Sequence, residues 1–105
     1  MSVIFGVLEE ERRRLEALKA IHEKRLKALP KGSIRIRPRG MKKYAYLLYR
    51  DGKRVRTLYV GEAGSLKLKA MREQLAERKK TLEAVRRVKS DLRILEKVGR
   101  ARRKK

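Results

Sequence analysis

The sequence predicts an α+β fold. An N-terminal helix leads into a small antiparallel β-hairpin or three-stranded sheet and then a long C-terminal helix, the two helices pairing as an antiparallel coiled coil. Three observations carry this. Apolar residues recur at helical spacing before residue 30 and again after residue 65, but with a period of two between them. Pro30 and Gly32 end the first pattern abruptly. Asp51-Gly52 stands as a hairpin signal between two runs rich in Tyr, Leu and Val.

The first helix is expected over residues 7–29. Leu8, Leu15, Leu18 and Leu29 form a heptad-like stripe, with Ile21 and Leu26 beside it. Glu9, Glu10 and Glu11 lie early, where the helix dipole favours acids. The pairs Glu9/Arg13, Glu10/Arg14 and Glu23/Lys27 are each one turn apart. Ile34 and Ile36 then alternate with Arg35 and Arg37, and Pro38 and Gly40 are expected to break that strand. The runs Lys43–Arg50 and Lys53–Val60 form the hairpin. A two-residue turn at Asp51-Gly52 sets Leu48 against Val55, Tyr46 against Thr57 and Tyr44 against Tyr59. Ala45, Leu47, Tyr49, Arg54, Arg56 and Leu58 then share the other face. Two of Tyr44, Tyr46 and Tyr59 are expected in the core beneath the helices.

The second helix is expected over residues 65–98, with Ser65 as its N-cap. Leu68, Met71, Leu75, Leu82, Val85, Val88, Leu92 and Leu95 form its stripe. It would be roughly 50 Å long at 1.5 Å per residue. Being longer than the first helix, it leaves Leu92 and Leu95 to be covered by Val3, Ile4 and Phe5 or by a second subunit. Residues 1–98 read as a single domain. The basic tail Gly99–Lys105 has no apolar residue larger than Ala and is expected to be disordered when free.

Composition narrows the function. Of 105 residues, 33 are Lys or Arg and 12 are Asp or Glu, for a formal net charge of +21. Residues 1–30 carry +2, residues 31–60 carry +9 and residues 61–105 carry +10. Such a charge costs self-repulsion, and a phosphate backbone is the commonest partner that makes it useful, ahead of an anionic membrane or an acidic protein. The absence of Cys removes disulfides, thiolate zinc sites and thiol nucleophiles, and a single His removes histidine clusters and most triads. No apolar run approaches the roughly 20 residues that span a bilayer. The N-terminus lacks the basic region and long apolar core of a signal peptide. A cytoplasmic, non-enzymatic protein is expected, with no metal, cofactor or small-molecule ligand and no membrane partner.

Candidate nucleic-acid contacts fall in three groups. Arg35, Arg37 and Arg39 alternate on one strand, with Lys42 and Lys43 following. Arg54 and Arg56 share a hairpin face with Tyr49. Arg72, Lys79, Arg86, Arg93 and Arg100 recur every seven residues, which aligns them along one helix face at intervals of about 10.5 Å. Arg102 and Arg103 add the tail. Basic rows of this kind track phosphates, and Tyr or Arg planes stack on unpaired bases. No helix presents Asn or Gln to base edges, so sequence specificity is expected to be weak. Double-stranded DNA is the first candidate and structured RNA the second. The alternative is an interaction module: a homodimer through Leu92 and Leu95, docking an acidic partner or a ribonucleoprotein.

Two resemblances accompany these residues. Leu-Pro-Lys-Gly-Ser (Leu29 to Ser33), a Tyr-rich hairpin ending in Tyr59-Val60-Gly61 and a long charged helix look like small prokaryotic helix–hairpin–helix basic proteins of mobile elements and plasmid-borne regions. That likeness implies a DNA-related setting. The basic hairpin also looks loosely like the arm-binding sheet of tyrosine recombinases. More locally, Tyr44-Ala45-Tyr46 and Tyr59-Val60-Gly61, followed by Ala63, Ser65 and Leu66, resemble the opening motifs of GIY-YIG nucleases. This resemblance implies a remote alternative as a degenerate nuclease acting through Tyr46, Tyr59 and Lys69. Lys69 stands where that family has Arg, and the family's further strand and metal-binding Glu have no counterpart downstream.

Overall fold

The computed structural model describes residues 3–103. Helix α1 (Val3–Ala28) is followed by strands β1 (Ser33–Arg39), β2 (Lys42–Asp51) and β3 (Arg54–Glu62), and by helix α2 (Leu66–Arg103). The chain divides into two compact units. One is the helical unit, Met1–Lys27 with Thr81–Lys105, and the other is the sheet unit, Ala28–Lys80.

In the sheet unit the three strands form an antiparallel meander in the order β1-β2-β3. Alternation along the central strand sorts its side chains. Ala45 and Leu47 are buried, and they cluster with Val60 and Leu68 under the half-buried Ile34, Tyr49, Met71 and Leu75. The opening turns of α2 thus cover one face of the sheet. Ser65 starts that helix as its N-cap: its Oγ accepts from the Leu68 amide at 3.2 Å.

The register differs from the expected one, and the reason is Gly52. It adopts φ 62°, while no non-glycine residue has positive φ. A turn whose first central residue is left-handed and whose second is not has the II′ pattern, which demands glycine first. The turn is therefore Gly52-Lys53, closed by Asp51 against Arg54, with Leu48 opposite Thr57 and Tyr46 opposite Tyr59. A bulge sets Val60 and Gly61 together against Ala45. The grouping of residues by face survives, because the shift is an even number of residues. Pro38 does not break β1. It pairs with Lys43 on an edge strand, where the missing N–H can point away from the ladder.

Among the described residues of the helical unit, Leu15 from α1 and Thr81, Val85, Val88 and Gly99 from α2 are buried. The helices run antiparallel: Phe5 and Leu8, early in α1, line one hollow with Leu92, Leu95 and Gly99, late in α2. Of Val3, Ile4 and Phe5, expected to cover Leu92 and Leu95, Phe5 lines the hollow beside them, while Val3 is 83% exposed. This packing also corrects both expected boundaries. Helix α1 begins at Val3 rather than residue 7, and α2 runs through Gly99 to Arg103 rather than ending at residue 98. Gly99 is buried in this helix pair, and the Arg100–Glu96 ion pair at 2.6 Å spans it one turn apart. Residues 104 and 105 of the expected tail lie outside the described residues.

Gly32 has φ 130°, and a Cβ there would collide with the Leu48 carbonyl oxygen. Gly32→Ala should therefore cost about 2 kcal/mol or more, through left-handed strain and a backbone clash. Gly6, inside α1 with open space around it, should behave oppositely, Gly6→Ala adding about 0.5–1 kcal/mol. Urea unfolding of the two variants checks both signs.

Candidate nucleic-acid interface

The sheet unit holds 16 basic and 4 acidic residues, a net +12 within 53 residues. Part of this charge lies on the sheet face opposite the core, and the rest on the core side of the hairpin, in the turns and on the start of α2. Register places Arg35 beside Tyr46, Arg37 beside Tyr44 and Arg39 beside Lys42. On β3 the same face carries Thr57 and Tyr59. The Arg37 guanidinium lies 5.4 Å from the centre of the Tyr46 ring, a cation–π distance. Tyr46 and Tyr59 meet edge to face at 5.6 Å, and Tyr44 lies 6.2 Å from Tyr59 in a tilted pair. The expectation that two of these tyrosines enter the core is corrected. Tyr44 and Tyr46 are half-buried and Tyr59 is 54% exposed, because the small Ala45 and the branched Leu47 take the helix-covered face.

The hairpin group is rearranged too. Tyr49 belongs to the core side, packed against the buried cluster, and does not stand out as a stacking residue. Arg54 and Arg56 share that face beyond the cluster and are exposed. Arg56 donates to Asp51 at 2.8 Å, so half of this group is paired with an acid. Lys42 lies 3.6 Å from Glu62. Lys43 and Arg72 border a groove at the start of α2 with Ile36, Ser65, Leu68 and Lys69. Lys69 therefore sits on the core side of the sheet, whereas Tyr46 and Tyr59 project from the other side. The three residues named by the nuclease resemblance are not brought together.

The seven-residue series stays at the surface in each unit: Arg72 and Lys79 in the sheet unit, and Arg86, Arg93 and Arg100 in the helical unit, all lie outside the core. Arg100 is engaged by Glu96. Arg102 and Arg103 continue α2 in backbone, and their side chains lie outside the described residues. Helix α1 neutralises its charge internally. Arg12 bonds both Glu9 and Glu16, Arg14 bonds Glu11 at 2.5 Å, and Lys19 lies 3.5 Å from Glu23. The hydrogen bond from Arg14 holds the Glu11 carboxyl below its usual range, and the same bond raises Arg14. Of the expected helix pairs, Glu9–Arg13 forms at 3.6 Å, while Arg14 turns to Glu11 instead of Glu10.

The profile of a domain of unknown function, DUF6788, matches residues 7–70. The chain belongs to this family. The DUF6788 match spans most of α1, all three strands and the capped start of α2, so the sheet and its open face lie wholly inside it. Neither a curated protein nor a solved structure matches the chain. No helix among the described residues is long and apolar enough to cross a membrane, and no group of three His, Asp or Glu residues there could hold a metal ion. The DUF6788 open face is thus a patch of Arg and Tyr in a unit where cations outnumber acids four to one.

That arrangement has a measurable cost in stability. Arg35→Gln and Arg39→Gln should leave stability equal or slightly higher at low salt, since each removes a like charge. Arg37→Gln should lower it by about 0.5 kcal/mol, because the cation no longer lies over the Tyr46 ring. Chemical denaturation at two ionic strengths distinguishes them, because added salt removes the repulsion and leaves most of the ring interaction.

Proposed function

We propose that this protein is a non-enzymatic nucleic-acid-binding protein of the cytoplasm that grips the phosphate backbone with little regard for base sequence. One observation carries the reading: the open sheet face, where Arg35, Arg37 and Arg39 line one edge beside three tyrosines. A solvated surface usually intersperses both signs, and a row of one sign costs self-repulsion that a polyanionic partner would relieve. Lysine and arginine on α2 supply further phosphate contacts, with Arg86 and Arg93 two turns apart on one exposed face. The likeness to small basic proteins of mobile elements fits the same setting.

Binding should be strongly salt-dependent. With six or more phosphates contacted, log affinity against log salt should fall with a slope steeper than about −5. Arg86→Gln with Arg93→Gln should flatten it by about one unit for each phosphate no longer held, similarly for all sequences. A flat response in the unmodified protein would overturn the proposal.

A second reading, an assembly module, has its own support in the helical unit, where Val3, Val7, Ile94 and Val98 remain exposed. Light scattering at high concentration separates the two. A dimer favours assembly, and a strict monomer that still binds nucleic acid favours the first reading.

A further inference from the structure

We infer, on the basis of the proposed function, that the open sheet face takes unpaired bases, making single-stranded nucleic acid its preferred ligand over duplex.

The two strand states expose different groups. A duplex offers phosphates outside and hides the faces of its bases in the stack, so it can use the arginines but not the tyrosines. A single strand offers both, and base–aromatic stacking tolerates any sequence because every base has a π face. Here the two kinds of group are laid side by side. Arg35, Arg37 and Arg39 recur at about 6.7 Å along β1, the two-residue repeat of a strand. Tyr44 and Tyr46 occupy the next strand and Tyr59 the one beyond, about 10 Å across the sheet from the arginine row. A strand running along β1 would therefore set its phosphates on the arginines and lay its bases inward over the rings.

The rings differ in availability, and the difference names the residue. Tyr44 and Tyr46 are half-buried, and Tyr46 already carries Arg37 at 5.4 Å. Tyr59 is braced by both neighbours yet 54% exposed. It is a positioned aromatic with free surface, and two such braces limit the rotamer freedom that stacking would otherwise have to remove. Its hydroxyl is dispensable in this role, since the ring makes the stack. No helix of the sheet unit covers this face, whose opposite side holds the whole core cluster.

The test uses the full chain and two labelled probes, a 15-nucleotide oligothymidine and a 15-base-pair duplex, by fluorescence anisotropy at physiological salt. The single strand should bind at least fivefold tighter. Tyr59→Ala should weaken it about tenfold, within the range for one stacked base, while leaving duplex affinity and the salt slope unchanged. Tyr59→Phe should bind as the parent does, and an unchanged thermal melt of Tyr59→Ala excludes misfolding as the cause of its weaker binding. With no Trp and four Tyr, the protein's own fluorescence reports directly. Oligothymidine should quench it in the parent and quench it less in Tyr59→Ala. Equal binding of both probes with no effect of Tyr59→Ala overturns the stacking inference and leaves the phosphate reading standing. Failure of both probes to bind overturns the proposed function itself.

Discussion

Leu68 packed on Ala45, Leu47 and Val60 is the contact on which the sheet unit depends. A three-stranded meander has little stability alone and needs one face covered. Helix α2 provides that cover with its first turns, and Ser65 fixes where the helix starts. Once Ala45 and Leu47 face the helix, the period of two forces Tyr44, Tyr46 and Leu48 to the other side. The aromatic face is thus a by-product of burying the aliphatic one. The bulge at Val60 helps by placing two consecutive β3 residues against the core side.

Charge is distributed on the opposite logic. Five of the chain's twelve acids lie in α1, where Glu9, Glu11 and Glu16 pair with arginines three and four residues away. Such exposed pairs are worth little in stability, but they cancel field. The sheet unit has few acids, so its field stays uncancelled. The protein therefore combines a nearly neutral helix with a strongly positive sheet, and under the proposed function a polyanion would meet the sheet and the exposed face of α2.

The fold is legible in the sequence where local chemistry decides. Pro30 marks the end of the first helix, Ser65 the start of the second, and the period of two the strands between. The partition of hairpin residues between faces is also readable, because it depends only on odd or even position. Which face the helix covers is not, since Tyr and Leu are both good core residues. The helix takes the smaller Ala45 face, which allows close approach. The register is hidden because Asp51-Gly52 reads as a pair, whereas the glycine alone has the left-handed conformation. Gly99 reads as a helix end, and only the antiparallel partner that buries it explains why the helix continues. Of the expected interface, Arg35, Arg37 and Arg39 fall where alternation places them, and Tyr49 does not. Tyr59 is visible in the sequence as an aromatic strand residue, but its exposure depends on the tertiary choice of face.

The edges of the sheet have a consequence of their own. An open meander leaves the outer sides of β1 and β3 without strand partners, and such edges invite other strands to add on and grow fibrils. On β1 the proline at position 38 offers no donor, and the alternating arginines repel an approaching copy. On β3 the bulge bends the strand and Arg54 and Arg56 guard its beginning. The cations proposed to recruit a polyanion thus also act against the sheet recruiting itself. Neutralising them by bound polymer at high concentration would remove that protection, tying the solubility of the complex to how fully the ligand covers the basic face.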